Sequence, residues 1–113
     1  MAVVQFTGSK IGKSSALCTW SALATGDTGT PLLNAEKSDR SVQVGGTFGG
    51  STTVIEGSND GVTYFTLTDP AGAALSFTVA GLKQILQVTK YIRPSTSGGA
   101  AVVVNVNLLT VEK

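Results

Sequence analysis

Histidine is absent from this sequence, and cysteine occurs once, at Cys18. The first absence removes the usual general base and the commonest metal ligand. The second excludes an internal disulfide and a thiolate metal cluster. Charge is also scarce: Asp, Glu, Lys and Arg make up 13% of the 113 residues, about half the usual share. The formal net charge is +1, and the cations are scattered, so no field of the kind that draws nucleic acid is built. No run approaches the roughly 18 apolar residues that span a bilayer. The opening MAVVQF has no charged leader or long apolar stretch, so synthesis in the cytosol without a Sec-type leader is expected. Neither catalysis, a cofactor, a metal, nucleic acid nor a membrane is expected.

What is abundant is Val, Thr, Ser, Gly and Ala. Val and Thr suit pleated, half-buried surfaces, and the 14 glycines suit turns and bulges. The reading is all-β: an antiparallel β-sandwich of about 7–8 strands. Residues 16–113 form one domain, preceded by an arm or edge strand over 1–15. Ser41 to Asp69 reads as a meander of three consecutive strands. Ser41–Phe48 runs to Gly49-Gly50, Ser51–Gly57 to Ser58-Asn59-Asp60-Gly61, and Val62–Thr68 returns. Asp-Gly accepts the positive φ of a tight hairpin.

Elsewhere, Ala16–Ala24 is apolar on both parities and reads as a strand by context. Leu75, Phe77 and Val79 alternate as a fourth strand of the central region. Gly81–Gln87 (GLKQILQ) places Leu82, Ile85 and Leu86 at helical spacing, predicting one short helical turn with Lys83, Gln84 and Gln87 exposed. Over Ala100–Val111, Val102, Val104, Val106 and Leu108 share one face and Asn105 and Asn107 the other. Thr25–Arg40 is the longest irregular stretch, in which Leu32 and Leu33 are placed to pin the loop to the core.

Three patterns invite a chemical reading. Gly8-Ser9-Lys10-Ile11-Gly12-Lys13-Ser14 resembles a phosphate loop but is one residue short between its glycines and has no helix after it. Asp27, Asp39, Glu56, Asn59, Asp60 and Asp69 are too dispersed for the converging oxygens calcium requires. Trp20, Tyr64, Phe65 and Tyr91 are candidates for a sugar-binding platform. By parity Phe65 is read as core and Tyr64 as the exposed ring.

The segments DRSVQVGGTFGG, TTVIEGSNDGVTYFTLTDPAGAALSFTVAGLKQIL and TKYIRPSTSGG together resemble a family of small structural proteins of tailed bacteriophages. The resemblance rests on Asp39–Val44, Gly57–Gly61 with Tyr64, Asp69–Gly72, Ala80–Leu82 and Tyr91–Pro94, and covers the chain from Gly26 onward. Tyr64 stands where the family usually has Trp. The resemblance implies a virion component, a capsid decoration (cement) protein made in the host bacterial cytoplasm and placed on the capsid surface. Its partners would be the major capsid protein and further copies of itself, as a trimer. Contact is expected from the two irregular segments. The arm supplies Ala2, Val3, Val4, Gln5, Phe6, Lys10 and Lys13. The loop supplies Pro31, Leu32, Leu33, Lys37 and Arg40. The alternative is a receptor- or glycan-binding module of a tail or head fibre, using Tyr64 and the Ser58–Gly61 turn.

Overall fold

The computed structural model describes residues 2–10, 15–33 and 39–111. Within them the chain forms β1 (Val3–Val4), β2 (Phe6–Lys10), β3 (Ser15–Leu23), β4 (Thr28–Gly29), β5 (Leu32–Leu33) and β6 (Asp39–Thr47). There follow β7 (Thr52–Ser58), β8 (Phe65–Thr66), β9 (Ser76–Phe77), β10 (Gly81–Gln84), β11 (Tyr91–Ser97) and β12 (Val103–Val111). Seven of these, β2, β3, β6, β7, β10, β11 and β12, are four residues or longer. One sheet has the order β10-β6-β12-β3-β2. The other runs β1-β4-β11-β7-β8, with β5 also on β11 and β9 also on β7. The fold is the expected all-β sandwich. Apart from the parallel β1–β4 pair, the pairings among the described strands are antiparallel.

Period-two alternation fills the space between the sheets. Val102, Val104, Val106 and Leu108 are buried as expected, and so are Val42, Val44 and Phe48. On β3 the parity breaks. Cys18 and Trp20 point inward, yet so does Leu23, because a bulge opposite Asn105 holds Ala22 at φ 58°. An extra residue in one strand moves everything beyond it to the other face. The Asn105 side chain accepts the Ala22 amide at 2.9 Å. Trp20 reaches across to the second sheet, where its Nε1 donates to the Thr30 carbonyl at 3.0 Å. Gly29 makes room for it, since a Cβ there would lie 2.5 Å from both the indole and Pro94.

The central meander is not one sheet. β6 pairs with β10 and β12, whereas β7 pairs with β8, β9 and β11. Gly49-Gly50 is therefore a corner that carries the chain from one sheet to the other. The return crossing, Gly98-Gly99 between β11 and β12, lies against it: the Ala100 amide donates to the Gly49 carbonyl at 3.0 Å. Gly49 has φ 56° and Gly99 φ 76°, and a Cβ at Gly99 would come 2.6 Å from the Ser51 nitrogen. Only glycine permits both the dihedral and the approach. The true hairpin is β7–β8, with Glu56 opposite Thr66 and Gly57 opposite Phe65. Its turn uses Gly61 at φ 78°, as the sequence predicts. Its return arm is shorter than expected: Phe65 is 69% exposed while Leu67 is buried. Val79, expected in a fourth alternating strand, is likewise outside, though Leu75 and Phe77 are core.

The predicted helical turn at 81–87 is a strand. Gly81–Gln84 pairs along β6, from Gly81 opposite Val44 to Gln84 opposite Ser41. Beyond it, the Ile85 amide donates to the Arg40 carbonyl at 3.0 Å. Ile85 is buried, but Leu82 is 68% and Leu86 53% exposed, which breaks the helical face. The open edge of β6 offers a ladder of backbone partners, and that outweighs a weak local spacing.

Candidate functional site

The residues expected to contact a partner do not form one surface. Ala2–Val4 and Pro31–Leu33 lie along one edge of the seven-stranded sheet. β1 runs beside β4, with Val3 opposite Thr28 and Val4 opposite Gly29, and β5 lies on β11, with Leu33 opposite Tyr91 and Leu32 opposite Ile92. Val3 and Leu33 are largely exposed, whereas Val4, Phe6 and Leu32 pack on the core. The expectation that both leucines pin the loop thus holds for Leu32 alone. Gln5 and Lys10 are exposed. Lys13 and Lys37 lie outside the described residues.

The expectation that the N-terminal segment is irregular is corrected by its pairing. β1 belongs to one sheet and β2 to the other, so residues 3–10 tie the two sheets together along one side of the sandwich. Phe6 meets Trp20 edge-to-face at 5.7 Å between centroids. The segment that resembled a phosphate loop begins as extended strand, with Gly8 opposite Cys18 and Lys10 opposite Ala16. Backbone groups engaged in a ladder do not cradle phosphate.

Arg40 is a second correction. It alternates onto the inner face beside Val42 and is 2% exposed, so it is no surface contact. Its three guanidinium nitrogens find no hydrogen-bond acceptor among the described residues, and burial lowers its pKa. The acidic residues weighed against a calcium site have separate partners. Asp27 binds backbone amides, Glu56 accepts from Arg93 Nε at 3.0 Å, and Asp69 stands 4.0 Å from Lys83 Nζ. Among the described residues no three metal-ligating side chains converge, and no helix is long and apolar enough to cross a membrane.

A concave site does form, around the β7–β8 hairpin. A cleft of about 490 Å³ is lined by Gly57–Asp60, Thr63, Phe65–Leu67, Gln87 and Thr89. Its loop is built on one carboxylate: Asp60 Oδ1 accepts from the Val62 amide at 2.8 Å, the Thr63 amide at 2.9 Å and the Ser58 hydroxyl at 2.7 Å. The Val62 and Thr63 amides, then the Ser58 hydroxyl, hold its pKa down to about 2. Asn59 Oδ1 ties the loop to the Lys90 amide at 2.9 Å. On the far wall Gln87 grips Thr68 from both ends of its amide, accepting at 2.8 Å and donating at 2.7 Å. Gln87 is thus half-buried rather than exposed, because the period-two alternation of 81–89 turns it inward.

The aromatic assignments reverse those drawn from parity. Tyr64 is half-buried beneath the Arg93 guanidinium, 3.8 Å from the ring centroid. Arg93 is in turn held by Glu56. Phe65 is the exposed ring and lines the cleft. The sequence signal for the site was the Ser58–Gly61 turn; Phe65 was a candidate ring assigned to the core, and Gln87 and Thr89 were missed because they join the turn only in three dimensions.

The architecture is a two-sheet β-sandwich whose hairpin end carries a cleft with both apolar and polar lining. No protein-family profile matches the chain, and no curated protein matches it in sequence. Solved structures do share the fold. YomS, an SPBc2 prophage-derived protein, superposes with a TM-score of 0.67 and 9% identity, over 92% of this chain and 100% of its own. The cupin domain of Cnp3 from Schizosaccharomyces pombe gives 0.51 at 12% identity, over 96% and 60% respectively. A portion of IMPa from Pseudomonas aeruginosa gives 0.51 at 9%, over 88% of this chain and 13% of that one. At these identities the likeness is one of fold.

Proposed function

We propose that this protein is a structural component of a tailed-bacteriophage virion, a decoration protein that binds the outer surface of the assembled head. The observation that carries the reading is the end-to-end correspondence with a prophage-derived protein, in which the sandwich accounts for 100% of that chain. The sequence resemblance to small phage structural proteins points the same way. In this role the protein acts by association and not by catalysis, bridging major capsid protein subunits and pairing with its own copies as a trimer.

The outer face of the five-stranded sheet has the chemistry such a contact requires. One row across all five strands reads Leu82, Gln43, Asn107, Thr19, Thr7, and the next reads Gln84, Ser41, Leu109, Leu17, Ser9. Neither row contains a charge. Hydroxyls and amides cross-link within the face, as Thr19 Oγ1 does to Asn107 Oδ1 at 2.8 Å. Covering these two rows desolvates no ion, and a contact of about 800 Å² per partner is of ordinary size. Repeated around a capsid, individually modest contacts add through avidity.

Co-sedimentation of purified protein with capsids that lack it tests the reading. The expected result is saturable binding in simple stoichiometry with the major capsid protein. Gln43→Glu, which puts a charge on the proposed face, is expected to lower occupancy while leaving the melting temperature unchanged. Recovery of the protein in tail fractions, or no binding to heads, overturns the assignment.

A further inference from the structure

The cleft beside the hairpin has no part in the capsid-contact reading, and its composition is specific. Phe65 presents a ring that is 69% exposed on the wall of a concavity. Phe is among the side chains most often buried completely in folded domains. Instead the ring stands against water beside polar groups that still have bonding capacity. Asp60 uses Oδ1 for its loop, leaving Oδ2 to accept from a ligand. Asn59 uses Oδ1 for the Lys90 amide, leaving two N–H donors. Thr63 and Thr66 add hydroxyls. Gly57 supplies the depth, since a Cβ there would lie 2.5 Å from Thr89 Oγ1.

The charge pattern narrows the ligand. Among the described residues, Asp60 is the only charged one in the lining, and no Lys or Arg lines the cleft. Phosphates, sulfates and uronic or sialic acids would meet an unopposed carboxylate. A pyranose without charge meets complementary groups instead: its C–H face stacks on an aromatic ring, and its vicinal hydroxyls donate to a carboxylate and accept from an amide.

We propose that the cleft formed by Asn59, Asp60, Thr63, Phe65 and Gln87 binds a neutral saccharide. This goes beyond the decoration reading and stands independently of it. A protein displayed on a particle with such a site attaches that particle to neutral glycans on a surface, through many copies at once.

The test is an NMR titration of the ¹⁵N-labelled protein with glucose, galactose, N-acetylglucosamine and maltose, and in parallel with glucuronic acid. Amide shifts confined to 57–66 and 87–89 are expected with at least one neutral sugar, and none with the acid. Phe65→Ala is expected to weaken binding about tenfold or more, with an unchanged melting curve because the ring is exposed. Asn59→Asp keeps the acceptor for Lys90, removes the N–H donors, and is expected to weaken binding as well. The proposal is overturned if no neutral sugar shifts these amides, if both variants bind like the parent, or if glucuronic acid binds equally. Shifts from an apolar peptide but no sugar would reassign the cleft to protein recognition. None of these outcomes alters capsid co-sedimentation, so the two readings fail separately.

Discussion

The Asp27 carboxylate accepts the Ala2 amide at 2.9 Å through Oδ1, joining residues 25 apart in sequence. Its Oδ2 accepts the Ala24 amide at 2.9 Å, and the side chain is 7% exposed. The Ala2 carbonyl in turn accepts the Thr28 amide at 2.9 Å. One buried acid therefore organises the β3–β4 turn and fastens the N-terminal strand to it. Asp27→Ala leaves two amides short of an acceptor and is expected to cost about 2–3 kcal/mol. Denaturant unfolding measures the loss, and hydrogen exchange should show it first at β1 and β4.

Arg40 presents the opposite case, a buried cation without a hydrogen-bond acceptor among the described residues. Burial of an unpaired guanidinium is costly, whereas an apolar side chain of similar length keeps the packing. Arg40→Met is expected to raise stability by about 1–3 kcal/mol, read as a higher melting temperature. A lower one would show that the guanidinium is paired in solution.

Asp60 sets an acid limit on the hairpin loop. Its pKa falls from 3.8 to about 2 in the folded protein, through the Val62 and Thr63 amides and the Ser58 hydroxyl. A depressed carboxyl stabilises the fold fully above its unfolded value, and that contribution is lost as pH falls from about 4 towards 2. Carbon-detected NMR of the Asp60 carboxyl is expected to titrate near the lower value. The stability difference between the parent and Asp60→Ala should shrink across the same window. A midpoint at the ordinary aspartate value would mean that the loop bonds do not persist in solution.

Cys18 should be inert. It is buried on the inner face of β3, and desolvation pushes its thiol up to about 12. Since the thiolate is the reactive form, alkylation by iodoacetamide at pH 8 is expected to proceed only at the rate of unfolding. Rapid labelling of the native protein would contradict the placement of β3.

Residues whose role is decided by near neighbours were readable from the chain. Alternation in β12 located Val102, Val104, Val106 and Leu108 in the core. Asn-Asp-Gly located a turn, because only a few residues accept positive φ. The all-β class followed from Val, Thr and Gly content with no strong helical period. The failures share one cause. Gly49-Gly50 signals a reversal, but whether a reversal makes a hairpin or a corner depends on where β11 and β12 lie, some fifty residues on. Gly81–Gln84 is strand because β6 has an open edge. A single bulge at Ala22 turned Leu23 inward, and Arg93 covering Tyr64 left Phe65 as the free ring. Local sequence determined the repertoire of strands and turns through backbone sterics and side-chain period. Only the tertiary structure decided which strands share a sheet, what the N-terminal segment is for, and which residues meet at the cleft. Those outcomes depend on backbone partners and packing contributed from distant parts of the chain.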